Sequence, residues 1–177
     1  MITIRTGVEA DIPQVYDLIV ELAVYEEAAD QMTNTVEQLR EDGFGATPLF
    51  HFMVAEDDVT NKLVGISLYY FRYSTWKGKR LYLEDIIITE SHRGQGLGKE
   101  LLDATIAKAR ELNCTGMMWQ VLDWNEPAIT FYKKLGANIE SEWLNGNLSQ
   151  EDLAGFSLSE TALAAAAPAS PASRSSL

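Results

Sequence analysis

The chain has 177 residues, of which 46% are hydrophobic and 23% charged, proportions typical of one soluble globular domain with a sizeable core. Its formal net charge of −12 argues against nucleic acid or an anionic membrane as a partner and is compatible with a cationic substrate. The single cysteine, Cys114, excludes an intrachain disulfide, the N-terminus does not read as a signal peptide, and no apolar run is long enough to span a bilayer, so we expect a cytoplasmic protein.

The first half of the chain predicts two helices and a three-stranded meander. Residues 2–6 alternate apolar and polar side chains, as a half-buried strand does, and residues 12–22 carry apolar side chains at helical spacing. Thr35 followed by Gln38 is a capping-box pattern that opens a second, short helix. Three antiparallel strands joined by short polar turns are then predicted at residues 51–56, 63–73 and 80–89.

The second half predicts two longer helices and two further strands. Apolar positions have helical spacing over residues 97–109. Asn125, Glu126 and Pro127 open another helix, which runs through Lys134 and is closed by Gly136. The short apolar run between these helices, residues 117–122, is suited to a buried strand. The last elements predicted are a strand from residue 138 and a turn of helix at residues 148–153.

The end of the chain has a different composition. From residue 161 it consists almost entirely of Ala, Pro and Ser. We interpret residues 161–177 as a low-complexity tail, either disordered or left over from cloning or read-through, and exclude it from the fold. A single folded domain is therefore predicted over residues 1–160.

Residues 81–102, LYLEDIIITESHRGQGLGKELL, order a strand, a glycine-rich turn and a helix. This order gathers backbone N–H groups at the positive end of a helix dipole and so predicts an anion site. The glycines are spaced two and two, which excludes the G-x-G-x-x-G dinucleotide fingerprint, and the P-loop spacing fails by one residue. Arg93 and Lys99 add positive charge. On this short pattern alone, a glycine-rich turn without a ligand is an equal alternative.

Longer strings indicate which anion is bound. The strand, the Arg-x-x-Gly-x-Gly turn and the string WNEPAITFYKKLGA at residues 124–137 resemble the GCN5-related N-acetyltransferases (GNAT). Within that superfamily, three strings resemble the diamine (spermidine/spermine) N-acetyltransferases: ELAVYE (21–26), EDGFG (41–45) and LYLED (81–85). Two others are closer to the paralogous branch that acts on thialysine: STWKG (74–78) and VLDWN (121–125). The resemblance covers residues 4–137.

The resemblance implies an α/β fold with a mixed, mostly antiparallel central sheet of six to seven strands. About four helices flank this sheet, which is splayed at the cofactor site. A homodimer is also implied. The family usually has a Gly-Trp strand after the position of Ala137, whereas this chain has EWLNGN at 142–147, so the last strand and its pairing stay open.

The resemblance further implies that acetyl-CoA is the acyl donor. Its pyrophosphate would lie on the turn and the helix start, at Arg93, Gly94, Gln95, Gly96, Leu97, Gly98 and Lys99. Its pantetheine arm would pair with the backbone of the preceding strand at Ile86, Ile87 and Ile88, where an N–H group stabilises the developing oxyanion. The start of the later helix would also contact the arm, at Asn125, Glu126, Pro127 and Ala128.

Two residues are candidates for proton transfer. An amine with a pKa of about 10 is protonated at neutral pH, so transfer requires a base, and Glu84 is our candidate. Strand alternation places Glu84 on one face with Tyr82 and Ile86, and Asp85 on the other face. A structural carboxylate is the alternative for Glu84 and our preferred interpretation of Asp85. Tyr132 matches the family's general-acid tyrosine, although a tyrosine on a late helix otherwise indicates packing.

Substrate selection is expected from acids and aromatic residues. Tyr25 and Glu26 match the family's polycation-binding position, with a solvated acidic helix end as an equal alternative. Glu84 would also contact the substrate. A second substrate-lining segment matches Met118, Trp119 and Gln120.

We therefore predict an enzyme that transfers acetyl from acetyl-CoA to a primary amine of a small polyamine or diamine, by direct attack in a ternary complex. Thialysine or another amino-acid-like amine is the alternative substrate. A non-catalytic acyl-CoA-binding module on the same fold is the second alternative. Because His, Cys and acidic residues are not clustered at ligand spacing, we predict no metal.

Overall fold

The computed structural model describes residues 1–166. The described chain divides into two compact units, Met1–Trp124 and a second that begins at Asn125. The first unit contains β1 (Ile2–Thr6), α1 (Ile12–Tyr25), α2 (Val36–Phe44), β2 (His51–Asp57), β3 (Lys62–Ser74), β4 (Gly78–Ile88), α3 (Leu97–Glu111) and β5 (Met117–Met118). The second contains α4 (Glu126–Lys134), α5 (Gln150–Gly155) and α6 (Glu160–Ala166). No helix among residues 1–166 combines the length and apolar character needed to cross a membrane.

The first unit is built on a five-stranded sheet in the order β1-β2-β3-β4-β5. Neighbouring strands from β1 to β4 are antiparallel, which confirms the predicted meander, and β5 runs parallel to β4. The α/β class with a mixed, mostly antiparallel sheet is thus confirmed. Among residues 1–166, five strands form rather than the six to seven predicted.

The strand predicted from residue 138 is absent from the described structure. Residues 138–149 form no strand or helix, and Trp143 and Leu144 are 81% and 94% exposed. A strand is stabilised when the side chains on one of its faces are buried. Trp143 and Leu144 would lie on opposite faces of a strand, and both are exposed, so neither face would be buried. The helical turn predicted at residues 148–153 does form, as α5. Of the tail predicted at residues 161–177, the part from residue 167 lies outside the described residues.

Helices cover both faces of the sheet. Side chains of α1, α2 and the sheet form one core that includes Ile12, Val15, Leu39, Phe52 and Ile66. Helix α3 packs on the opposite face, where Leu97 and Leu101 form a smaller core with Ala55 and Val64. The core in which a β4 side chain packs therefore shows which face of the sheet that side chain is on.

The end of β4 that the sequence marks as functional carries a β-bulge. Leu68 pairs with Asp85, but the next residue of β3, Tyr69, pairs with Leu83, so Glu84 is an extra residue in β4. A bulge breaks the alternation of side chains between the two faces. The prediction that Tyr82 and Ile86 share a face is therefore wrong.

The cores show the new arrangement of β4. Tyr82 stacks on Tyr70, which packs against the α1 core, whereas Ile86 packs against the α3 core. Asp85 lies opposite Leu68, a member of the α1 core, and so faces the same side as Tyr82. The bulge thus directs Asp85 to the face that also carries the two tyrosines.

Strand β5 is shorter than predicted. Only Met117 and Met118 pair with β4, at Leu81 and Tyr82, so the strand predicted at residues 117–122 ends four residues early. Within the described residues, no strand pairs with the β5 side of β4 beyond Tyr82. On this side, the backbone of residues 83–88 has no strand partner among the described residues, and we call it the open edge of β4.

Candidate active site

Three carboxylates gather at the bulge. Burial, together with the smaller effect of the negative charges of Glu84 and Glu26, raises the pKa of Asp85 to about 6. Burial also raises the pKa of Glu26, the residue that ends α1. Glu84 is exposed. The structure therefore brings Glu26, predicted to bind substrate, next to the acidic pair on β4, and this cluster favours a bound cation.

Two stacked tyrosines lie beside the carboxylates. The rings of Tyr70 and Tyr82 have centroids 5.1 Å apart. Burial and the neighbouring Glu84 carboxylate raise the pKa of Tyr70 to about 12, and the same causes raise the pKa of Tyr82. The Tyr82 hydroxyl donates a hydrogen bond of 2.9 Å to Oε1 of Gln120. Both phenols therefore remain protonated at neutral pH and can donate hydrogen bonds.

The predicted substrate segment after α3 reaches the same face. Gln120 contacts Tyr82, and the Met118 sulfur accepts a contact of 3.6 Å from Nη1 of Arg72. Trp119 between them is half-buried. Met118 and Gln120 thus lie beside the tyrosine face, and the role of this segment in lining the substrate stays a prediction.

Tyr25 links the end of α1 to the glycine turn. The guanidinium of Arg93 lies over the Tyr25 ring, 5.0 Å from its centroid, and the Trp124 ring lies 6.3 Å from it on centroids. Arg93 Nε also donates to the carbonyl of Ile88 at 2.8 Å, and its Nη2 lies 3.6 Å from Glu21. The predicted substrate residue and the first predicted pyrophosphate residue are therefore in direct contact.

The turn itself has the geometry of an anion cradle. Gly94 and Gly96 have φ of 74° and 88°, in the left-handed region, and no atom lies within 4 Å of a Cβ built on either. Gly96 directly precedes α3 and has no side chain to cap it, so the first N–H groups of this 15-residue helix lack a side-chain acceptor next to the open turn. Lys99 pairs with Asp103 one turn along the helix.

The remaining predicted residues lie in the second unit. Asn125 caps α4, its Oδ1 accepting from the Ala128 N–H at 3.2 Å, and Pro127 stands in the first turn. Glu126 is the acidic residue of that turn. Tyr132, near the other end of α4, is 5% exposed. A helix from residue 125 to 134 is confirmed, and the roles of these residues stay predictions.

Sequence reasoning interpreted Asp85 as structural and did not single out Tyr70 or Arg72, which lie on the same face of the sheet. Adjacent acids in an apolar run did signal the site, but only the bulge decides which of them is buried. The aromatic-rich third strand contained Tyr70 and Arg72 at the spacing of one face. Among residues 1–166, no group of three or more His, Cys, Asp or Glu side chains is arranged to hold a metal ion.

Comparison with known proteins identifies the family. The profile of the acetyltransferase (GNAT) family matches residues 12–137. The chain belongs to this family. It is an acetyltransferase, and GNAT acetyltransferases use acetyl-CoA.

Relatives similar in sequence to this chain are named as acetyltransferases of small amines. The chain is 43% identical to a thialysine N-epsilon-acetyltransferase of Bos taurus over 142 residues, 77% of this chain and 84% of the relative. It is 41% identical to that of Mus musculus over 151 residues, 80% and 89% of the two chains. Spermidine/spermine N(1)-acetyltransferase-like protein 1 of Homo sapiens is 37% identical over 158 residues, 85% of this chain but 23% of that protein.

Solved structures share the fold. An integron cassette protein from V. cholerae superposes with a TM-score of 0.71 at 20% identity, over 86% of this chain and 95% of that chain. An aminoglycoside acetyltransferase from a soil metagenomic sample, solved with sisomicin, gives a TM-score of 0.69 at 21% identity, over 84% and 95%. At this level of identity, the likeness extends to the fold alone.

Proposed function

We propose that the protein transfers acetyl from acetyl-CoA to a primary amine of a small cationic molecule, by direct attack in a ternary complex. The observation that supports this most is the cluster of Glu26, Glu84 and Asp85 beside the open edge of β4. Carboxylates attract a protonated amine, and the adjacent backbone edge suits the acyl donor.

The glycine turn and the open edge fit acetyl-CoA. The uncapped start of α3 and the space at Gly94 and Gly96 suit the pyrophosphate, with Arg93 and Lys99 supplying charge. The edge of β4 at residues 86–88 offers backbone hydrogen bonds to the pantetheine arm. When bound, the donor supplies an activated thioester, and a backbone N–H here stabilises the negative charge that develops on its oxygen.

The acidic pair of β4 would accept the proton of the amine. A general base is most effective when its pKa lies near the working pH, and Asp85, with a pKa of about 6, meets this condition. Glu84, the base predicted from the sequence, is the exposed member that meets the cation first. We propose Glu84 and Asp85 as one proton-accepting pair, and Tyr132 as the donor to the departing thiolate.

Two classes of substrate are candidates. A polyamine or diamine fits the acidic cluster, because a second carboxylate would hold a second ammonium. Thialysine or a similar amino acid is favoured by the names of the 43% and 41% identical relatives. The homodimer and the cytoplasmic location stay predictions from the sequence.

The test is turnover with purified protein. Release of the CoA thiol would be measured with acetyl-CoA and, in parallel, spermidine, putrescine, thialysine and lysine. We expect turnover with at least one of these amines and none without an amine. Saturable CoA binding without turnover of any amine would contradict the proposal and support a non-catalytic acyl-CoA-binding module.

Replacing Gly96 with alanine tests the turn. The added methyl meets no atom, but the left-handed backbone costs about 1 kcal/mol, and relief of this strain moves the amides that face the donor. We expect KM for acetyl-CoA to rise roughly tenfold with little change in KM for the amine. Gly78→Ala is the matched control, since Gly78 has a φ of 83° in the β3–β4 turn. An equal rise in KM in both variants would argue against a cofactor role for the turn.

A further inference from the structure

Arg72 and Arg80 form an unusual pair on the face that carries the acidic cluster. They stand directly opposite each other across β3 and β4. Like charges in this position repel, because opposed side chains of an antiparallel pair share one face. The chain has 26 acidic and 14 basic residues, yet neither arginine makes an ion pair with any residue of 1–166.

The contacts of the two guanidiniums among residues 1–166 do not neutralise their positive charges. Arg72 is exposed, and the thioether of Met118 is a weak acceptor for its Nη1. Arg80 donates from Nη2 to the Met117 carbonyl at 3.0 Å, while its Nε is buried without a hydrogen-bond partner. A buried donor without a partner is costly, and repulsion between the guanidiniums adds to that cost. An anion bound at Arg72 would offset the repulsion.

The face is ordered along the strands. Arg72 and Arg80 are followed by the stacked Tyr70 and Tyr82, and these by Glu84 at the bulge. Asp85, just beyond the bulge, pairs with Leu68, which is four residues from Arg72 on β3, or about 13 Å along a strand. Because strand side chains stand roughly perpendicular to the sheet, the cationic and anionic ends keep about this separation.

The separation matches one class of molecule. In an extended lysine-like amino acid, the terminal amine and the carboxylate are about 7 Å apart. A hydrogen bond of roughly 3 Å at each end brings the total to about 13 Å. The stacked tyrosines in between offer an apolar surface to the chain of the amino acid.

We propose that Arg72 is a specificity-determining residue that binds the carboxylate of an amino-acid-type substrate, while the side-chain amine of that substrate lies at Glu84 and Asp85. This inference rests on the proposed function and names the substrate class. The planar guanidinium binds a carboxylate through two parallel hydrogen bonds. Arg80, half-buried behind it, adds positive charge. A polyamine would instead place a second ammonium beside Arg72, which repels it.

The experiment compares two amines that differ only in the carboxylate. Thialysine and the diamine left when its carboxylate is removed would be assayed with the wild type, Arg72→Gln and Arg72→Glu. We expect the wild type to prefer thialysine, and Arg72→Gln to lower kcat/KM for thialysine by about 10- to 100-fold, mainly through KM. Turnover of the diamine should rise in Arg72→Gln, because the repulsion of its second ammonium is removed, and should rise further in Arg72→Glu. Arg110→Gln, at an exposed arginine of α3, is the control and should change neither.

The outcomes are distinguishable. Equal losses with both amines in Arg72→Gln would indicate a structural role and overturn the inference. A wild type that acetylates the diamine and not the amino acid would overturn it as well, but would leave the proposed acetyl transfer intact. Absence of turnover with every amine would overturn both proposals. A thermal melt of each variant identifies losses that come from unfolding.

Discussion

Replacing Asp85 with asparagine is expected to lower kcat/KM about 100-fold or more and to raise the stability of the folded protein at neutral pH. Loss of a positioned base typically costs about 10²- to 10⁴-fold in rate. In the wild type, kcat/KM should rise with pH through about 6, as Asp85 loses its proton, and then level off. This limb of the profile should be missing in Asp85→Asn.

The expected gain in the free energy of unfolding of Asp85→Asn follows from the raised pKa of Asp85. The pKa of Asp85 is about 6 in the folded protein against an ordinary value of 3.8, so folding opposes its ionisation. Below 3.8 the carboxyl is neutral in both states and contributes nothing. As the pH rises from 3.8 through about 6, the folded state loses up to about 3 kcal/mol, at roughly 1.4 kcal/mol per pKa unit. Asparagine cannot ionise and avoids this loss.

Urea denaturation measures the effect. The free energy of unfolding of Asp85→Asn, relative to the wild type, should be larger at neutral pH than below the ordinary pKa of the carboxyl. Asp58→Asn, at an exposed position in the β2–β3 turn, is the control and should show no such dependence. Stability that is gained while activity is lost is typical of strained functional groups. A constant difference at all pH values would mean that Asp85 is not destabilised by its charge.

Glu84→Gln separates the two acids. Removal of its negative charge, one cause of the raised pKa of Asp85, should move the acid limb of kcat/KM to lower pH. If the limb instead disappears in Glu84→Gln and persists in Asp85→Asn, Glu84 alone is the base, as the sequence first indicated.

Tyr132→Phe is expected to lower kcat by about 10²- to 10³-fold with little change in KM for either substrate. The variant keeps the aromatic ring of a side chain that is 5% exposed and removes only the hydroxyl. General-acid catalysis matters most when the leaving group is basic. The loss should therefore shrink with an acetyl thioester of a more acidic thiol, which leaves without a proton.

The matched control is Tyr73→Phe, the same change at a tyrosine of β3 that is 75% exposed. It should keep the activity of the wild type with both thioesters. A Tyr132→Phe enzyme that retains kcat within about threefold would exclude Tyr132 as the proton donor. A loss of equal size with both thioesters would point to a packing role.

Most of the fold could be predicted because local signals agreed with the tertiary structure. The capping pattern at Thr35 is confirmed, since its Oγ1 accepts from the Gln38 N–H at 3.1 Å and α2 begins one residue later. The meander strands begin and end within two residues of their predicted bounds. Here the periodicity, the turns and the buried faces all favour the same elements.

The parts that could not be predicted depend on pairing between distant residues. Nothing local in LYLED marks Glu84 as an extra residue, because a bulge is defined against β3. Likewise the apolar run after Gly116 has the composition of a full strand, but only two of its residues reach β4. The sequence therefore identified the acidic pair, but it placed Glu84 rather than Asp85 on the face that carries Tyr82.

The bulge at Glu84 also sets the phase of everything that follows it on β4. If β4 alternated regularly through Glu84, Ile86 and Ile88 would turn toward α1, and Ile87 toward α3. Deletion of Glu84 itself would keep these isoleucines on their present faces, because Asp85 would then follow Leu83 in unbroken alternation. Deletion of a paired residue such as Ile86 would instead turn the residues beyond it to the wrong layer, which makes β4 tolerant of losing its bulge and intolerant of losing a residue on either side of it.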